Sequence, residues 1–158
     1  IHNKYIFKLN IKRIIMKNSD IKRYLSEGWI QVLFSMTVQG NDKEKVDESL
    51  RTQLDQVEKL GKIIESKISK PELMENSKNW YSQFSEVEIL LDNPDKIFDI
   101  ILDYMVNSVE IIAPEKLSVE SQTYQDRLND LAIKFRETEK AVLYLSARNK
   151  ILEKENKK

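Results

Sequence analysis

Hydrophobic and polar residues alternate at the start of the central region of the chain. Every second residue of 30–38 is apolar, which predicts a strand with one strongly apolar face, ended by Gly40. Asn41 can then cap a helix, with Glu44 three residues further on, and Gly61 can end that helix. The apolar residues along one side of the predicted helix are Val46, Leu50, Leu54 and Val57.

Similar patterns continue to residue 113. Residues 62–68 are predicted to form a second strand, and Asn93 can cap a second helix whose first position is Pro94. A third and a fourth strand are indicated by apolar residues at every second position, namely Val87, Ile89 and Leu91, then Val109 and Ile111. For residues 28–117 the order predicts an α+β fold of the ferredoxin-like type, a βαββαβ antiparallel sheet with both helices on one face.

The last third of the chain carries a heptad repeat. Residues 118–158 are predicted to form one long helix, because no Pro or Gly lies between Tyr124 and Glu155. Apolar positions in this segment follow alternating steps of three and four residues, which is typical of a helix that pairs with another helix. We call these positions the heptad seam: Leu128, Leu131, Phe135, Thr138, Val142, Leu145, Asn149 and Leu152.

Two features of the heptad seam favour a coiled coil of two chains. Asn149 falls at an a position, where one polar side chain sets the register and favours two strands. With Leu128 at a, two interchain pairs would be attractive in a parallel dimer, Lys134 with Glu139 and Arg148 with Glu153. The alternative is that the helix packs on its own domain. At about 1.5 Å per residue, however, it would run near 50 Å, longer than one small domain covers.

The net charge of zero conceals an uneven distribution. Residues 1–27 carry seven basic and two acidic residues, a net charge of +5. Residues 28–113 carry nine basic and sixteen acidic residues, a net charge of −7, and residues 114–158 carry +2. Phosphate neutralisation supplies most of the affinity for nucleic acids, so the acidic central region argues against nucleic-acid binding.

Residues 1–27 are interpreted as a basic N-terminal extension. Met16 could be the native start, in which case residues 1–15 are upstream or vector-derived sequence. Alternatively they form a native basic arm, in which alternating apolar residues favour a strand over the helical face of a membrane anchor. No run of eighteen apolar residues occurs, and we expect a cytoplasmic protein without membrane association.

The composition argues against several kinds of active site. The chain has no cysteine, which removes disulfides, thiolate metal sites and thiol nucleophiles. Its three glycines argue against phosphate-binding loops and dinucleotide fingerprints. We therefore expect no cofactor and no enzymatic activity, but a protein that self-associates or binds a protein partner.

Two other functions remain open on the sequence. Gly40 and Asn41 occupy the first strand-to-helix turn, beside which regulatory modules of the ACT type hold small molecules, so an ACT-like module is one alternative. Glu86, Glu88 and Glu110 could converge on a divalent cation, which would suit a metal-dependent enzyme. Alternating glutamates on a strand are, however, ordinarily the solvated face of a half-buried sheet.

The predicted open face of the sheet also carries two large apolar residues, Trp29 and Leu33. Exposed apolar surface of this kind suggests a cover, such as a second subunit or the C-terminal helix. A homodimer could therefore form through the C-terminal helix or through the open sheet face.

Two segments resemble a family of small archaeal proteins of unknown function. They are 81–88, with the sequence YSQFSEVE, and 107–115, with the sequence NSVEIIAPE. The resemblance implies a cytoplasmic archaeal protein and no particular activity.

Overall fold

The computed structural model describes residues 9–14, 16–75 and 77–155. The chain divides into two compact units, the first ending at Ser118 and the second beginning at Val119. In the described part of the chain, the elements in order are β1 (Leu9–Ile14), α1 (Asn18–Ser26), β2 (Ile30–Gly40), α2 (Lys43–Leu60), β3 (Lys62–Ser69), β4 (Glu72–Leu73), β5 (Tyr81–Leu91), α3 (Asp95–Asp103), β6 (Val106–Ala113) and α4 (Ser121–Glu155).

The first unit is built on an antiparallel sheet. Five strands lie in the order β1-β3-β5-β2-β6, and the two-residue strand β4 pairs with β5. The chain is thus an α+β protein with an antiparallel sheet and a long C-terminal helix. The predicted sheet of four strands, β2, β3, β5 and β6, is too small, because β1 adds a strand beyond β3 and β4 adds a short pairing to β5.

One face of the sheet carries the main hydrophobic core. The alternation in β2 places Val32, Phe34 and Met36 on this face, where all three are fully buried. The four apolar residues predicted for the inner side of α2 are also buried there, which confirms that prediction. Since α3 adds Ile97 and Ile100 to the same core, α2 and α3 pack on one face of the sheet.

The starts of the helices differ slightly from the prediction. Asp42, and not Asn41, caps α2, because its Oδ1 accepts a hydrogen bond of 3.0 Å from the backbone N–H of Glu44. A carboxylate also suits the positive end of the helix dipole. Asn93 Oδ1 accepts a hydrogen bond of 2.9 Å from the backbone N–H of Asp95, but α3 begins at Asp95, so Pro94 takes the N-cap position predicted for Asn93 and is not the first helical residue.

Gly61 ends α2 for a packing reason. Its backbone is extended, with φ −158°, a conformation open to any residue. A Cβ atom at this position would nevertheless overlap the carbonyl oxygen of Leu90 and lie 2.8 Å from Cδ2 of Leu91. The chain can pass from α2 into β3 this close to β5 only because glycine has no side chain.

A third helix, which the sequence did not predict, covers one end of the opposite face of the sheet. In α1, Ile21 is buried against Ile64 and Leu90. The partly buried apolar residues around this small cluster are Met16, Tyr24, Leu25 and Trp29. Gly28 follows the helix with φ +91°, a left-handed conformation that favours glycine after a helix end. The predicted extension of residues 1–27 thus includes a helix that packs on the sheet.

The second unit contains one helix, α4, of 35 residues. It begins at Ser121 rather than near Ser118, and at about 1.5 Å per residue it is about 52 Å long. None of the residues of α4 is buried. Among the residues that the structure describes, no helix is both long and apolar enough to cross a membrane.

Candidate protein interaction surface

The heptad seam lies exposed along α4. Phe135 is 78% exposed and Leu145 is 54% exposed, whereas Leu131 is half-buried. The polar seam residues, Thr138 and Asn149, are exposed as well. Helices in proteins obtain most of their stability from packing an apolar face, so a long helix without a buried residue presents a surface suited to a partner.

The exposed apolar side chains of α4 are concentrated in the heptad seam but extend beyond it. The ten large ones are Tyr124, Leu128, Ile133, Phe135, Val142, Leu143, Tyr144, Leu145, Ile151 and Leu152. Six of them occupy a or d positions, counting Tyr124 as the d position one heptad before Leu131. The other four lie at b, c or f positions, so they provide controls of the same residue type outside the seam.

Charged residues flank the heptad seam on both sides. Between Leu128 and Glu153, the basic residues at g positions are Lys134 and Arg148, and the acidic residues at e positions are Glu139 and Glu153. All four are exposed, and within the described part of the chain none forms an ion pair with another side chain. Their charges are therefore available to a second helix.

The predicted ligand turn at Gly40 and Asn41 has a structural explanation. A Cβ atom at Gly40 would lie 3.1 Å from Cγ2 of Val46, so glycine allows the turn to approach α2 closely. Asn41 is exposed. A shallow open groove runs nearby along α2, but neither residue of the turn lines it. The groove is lined by Lys43, Glu44, Asp47, Glu48, Arg51, Thr52, Asp55 and Pro71.

One side of this groove is tied to the core through Asp47. The buried side chain of Gln83 donates hydrogen bonds from Nε2 to Oδ1 of Asp47 at 2.7 Å and to the carbonyl of Ser69 at 2.9 Å. Nε of Arg51 donates to Oδ2 of Asp47 at 2.7 Å. The hydrogen bond from Arg51 is the main reason why the pKa of Asp47 lies below its ordinary value of 3.8.

The three glutamates of the predicted cation site share a face of the sheet but do not converge. In the strand register, Leu33 lies between Glu88 of β5 and Glu110 of β6. Glu86 instead approaches Lys67, whose Nζ lies 3.5 Å from its Oε2. Within residues 9–14, 16–75 and 77–155, no three His, Cys, Asp or Glu side chains are grouped so that they could hold a metal ion.

Polar contacts connect the strands across this open face. Nζ of Lys67 also lies 3.3 Å from Oε1 of Glu65, and hydrogen bonding to Glu65 is the main cause of the raised pKa of Lys67. The hydroxyls of Ser35 and Ser108 are 2.6 Å apart, joining β2 to β6. The face is therefore a network of paired polar groups around the half-buried Leu33.

Trp29, which we expected another chain or the C-terminal helix to cover, is covered by α1. Its ring centroid lies 4.9 Å from that of Tyr24, and Nζ of Lys62 lies 5.8 Å from the Trp29 ring centroid. The interpretation of residues 1–27 as an extension did not predict a contact between Tyr24 and Trp29. The available signal was apolar residues at helical spacing followed by a glycine: Ile21, Tyr24, Leu25 and Gly28.

The chain was also compared with known proteins. A family model, that of the MJ0538 family, matches residues 31–158. Searches of the curated proteins and of the solved structures found no match. The matched region contains both segments that resemble a family of archaeal proteins, and it also contains the whole of α4.

Proposed function

The chain belongs to the MJ0538 family, and we propose that it is a non-enzymatic, self-associating protein whose α4 helix pairs with α4 of a second copy through the heptad seam. The observation that carries this proposal is that no residue of α4 is buried although six large apolar residues occupy its a and d positions. A partner helix would remove these side chains from water, which is the main favourable contribution to coiled-coil formation.

The fold of the first unit is proposed to be a ferredoxin-like arrangement extended by β1, β4 and α1. The support for this is that the remaining strands follow the order β3-β5-β2-β6 and that α2 and α3 lie on one face. Cross-strand NMR contacts between Phe34 and Val109, which are paired in the register of β2 and β6, are expected. Their absence would contradict this arrangement.

The size of the effect at one seam position can be worked from Leu145. Fully burying a leucine side chain contributes about 1.5–3 kcal/mol. Because Leu145 is 54% exposed, pairing can gain about half of this per chain, or about 1.5–3 kcal/mol over the two chains. Replacement of Leu145 by Ala should therefore raise the dissociation constant of the dimer about tenfold or more.

The test compares Leu145→Ala with Leu143→Ala by light scattering over a concentration series. Leu143 is 65% exposed but lies at a b position, outside the heptad seam. Leu143→Ala should therefore leave the measured mass of the dimer unchanged over the concentration series. We expect the unchanged chain to have the mass of two chains and Leu145→Ala to dissociate at higher concentration. A monomer at every concentration, or equal effects of the two substitutions, would overturn the proposal.

A further inference from the structure

We infer that the two α4 helices lie parallel and in register, so that the dimer carries both of its first units at the same end. This inference rests on the proposed pairing through the heptad seam and adds the direction of the second helix. It is argued from the flanking charges and from Asn149, which distinguish the two possible directions.

The flanking charges favour the parallel direction. In a parallel pair, each g position faces the following e position of the other chain, so Lys134 meets Glu139 and Arg148 meets Glu153. By symmetry each of these attractive pairs occurs twice. The four side chains form no ion pair within the described part of their own chain, so pairing between chains breaks none.

The antiparallel direction brings like charges together. If two seams overlapped fully in opposite directions, g positions would face g positions, and Lys134 would approach Arg148 of the other copy. The e positions would also face each other, and Glu139 would approach Glu139 of the other copy. Like charges at such positions are destabilising. This overlap also brings Arg127 to Glu155 at its outermost g positions, but these two attractive contacts are outnumbered by three repulsive ones, and Arg127 already forms an ion pair of 3.6 Å with Asp130 of its own chain.

Asn149 favours the same direction. In a parallel, in-register pair the two Asn149 side chains face each other at the seam, where their amides can exchange hydrogen bonds. In the antiparallel overlap, Asn149 would instead face Leu131 of the other copy. A buried amide without a partner is costly, and this cost would arise twice.

The parallel direction has a consequence for how the protein presents its first unit. The first unit ends at Ser118 and α4 begins at Ser121, so a short connection attaches each first unit to the N-terminal end of the paired helices. Both first units would thus be attached at the same end of the paired helices. A ligand with two sites would bind such a dimer more tightly than a single chain.

The direction can be tested by disulfide formation, since the chain has no cysteine of its own. Leu128→Cys and Leu152→Cys lie near the two ends of the seam, about 36 Å apart along the helix. In the parallel dimer, each variant should form a disulfide with itself after mild oxidation. A mixture of the two should form only those two products, and not the mixed one.

The disulfide products and the measured mass distinguish a wrong helix direction from the absence of a dimer. A mixed disulfide together with little or no self-linking would overturn the parallel direction while leaving the proposed dimer intact. A monomeric mass for the unchanged chain would overturn both. The mass should be measured for each variant as well, so that the disulfides are compared at concentrations where the chains are paired.

A charge reversal gives a second test, because the direction of the second helix decides whether the dissociation constant rises or falls. Lys134→Glu places a carboxylate beside Glu139 in the parallel dimer and should raise the dissociation constant about tenfold over its two sites. In the antiparallel dimer the same carboxylate would face Arg148 and lower the dissociation constant. Lys140→Glu, at an outer f position, is the matched control and should have no effect. A lowered or unchanged constant for Lys134→Glu, measured by analytical ultracentrifugation, would overturn the inference.

Discussion

Replacing Ile21 by Ala tests whether α1 is a structural part of the sheet unit. Ile21 is 9% exposed and belongs to a cluster in which the other buried residues are Ile64 and Leu90. Removing buried methyl groups in this way costs about 2–5 kcal/mol. The cluster is small and its partly exposed neighbours can relax into the space, so we expect the lower end, about 2–3 kcal/mol. Against a typical total of about 5–15 kcal/mol, this is a large loss of stability.

The assay is urea unfolding followed by circular dichroism at one fixed protein concentration. The midpoint should fall for Ile21→Ala, whereas the slope of the unfolding free energy against urea should stay constant if only stability changes. Ile133→Ala is the matched control, because Ile133 is 56% exposed at an f position of α4. That substitution should change the free energy of unfolding by less than about 0.5 kcal/mol.

Equal, small effects of the two substitutions would refute the reasoning. In that case Ile21 would contribute no more packing than an exposed residue. The interpretation of residues 1–27 as an appendage, which the sequence alone suggested, would then be correct, and α1 would be dispensable to the sheet.

Three further predictions concern the first unit. Gly61→Ala should lower the free energy of unfolding by about 3 kcal/mol or more, because a methyl group would overlap the carbonyl of Leu90. In the same urea unfolding assay Gly28→Ala should cost only about 1–2 kcal/mol, since nothing lies within 4 Å of the added Cβ atom and only the positive φ of Gly28 is unfavourable. Asp47→Asn should cost less than about 1 kcal/mol at pH 7, because Asp47 and Arg51 are 34% and 51% exposed. The lowered pKa of Asp47 means that this difference persists above pH 3.8 and disappears as pH falls further, so a difference independent of pH would contradict it.

The parts of the fold that the sequence predicted well are those in which one side of an element is buried. The two-residue period of β2 and the helical spacing in α2 both report directly on a single buried face. Gly40 and Gly61 also mark the ends of these elements in the structure. Such features are local, so they can be recognised without knowing what packs against the element.

The features of the fold that the sequence did not predict depend on contacts between residues that are distant in sequence. The pairing of β3 with β5 shifts register between Ile63 and Glu65, so Ile63 and Ile68 both pack on the main core although they are five residues apart. No simple alternation shows such a shift. Without Ile64 and Leu90 as visible partners, the nine residues of α1 are too short a pattern to indicate a packed helix.

The candidate site shows the same limit. The period of two in β5 correctly places Glu86 and Glu88 on one face of the sheet. The strand register then decides what lies between the carboxylates, namely Leu33 beside Glu88 and Glu110, and Lys67 beside Glu86. The sequence pattern contains no information about these neighbours.

The uneven pairing of β6 bears on the solubility of the protein. In the described part of the chain β6 lies at the edge of the sheet, and five of its eight residues are exposed, including Ile111 and Ile112. A straight edge strand of this kind could add strands from other molecules without limit and cause aggregation. The register of β6 against β2 is broken twice, between Gln31 and Val32 and between Ser35 and Met36, so its backbone cannot offer a regular row of hydrogen-bonding groups. We therefore expect the β6 edge of the sheet to be a poor template for fibril-like growth.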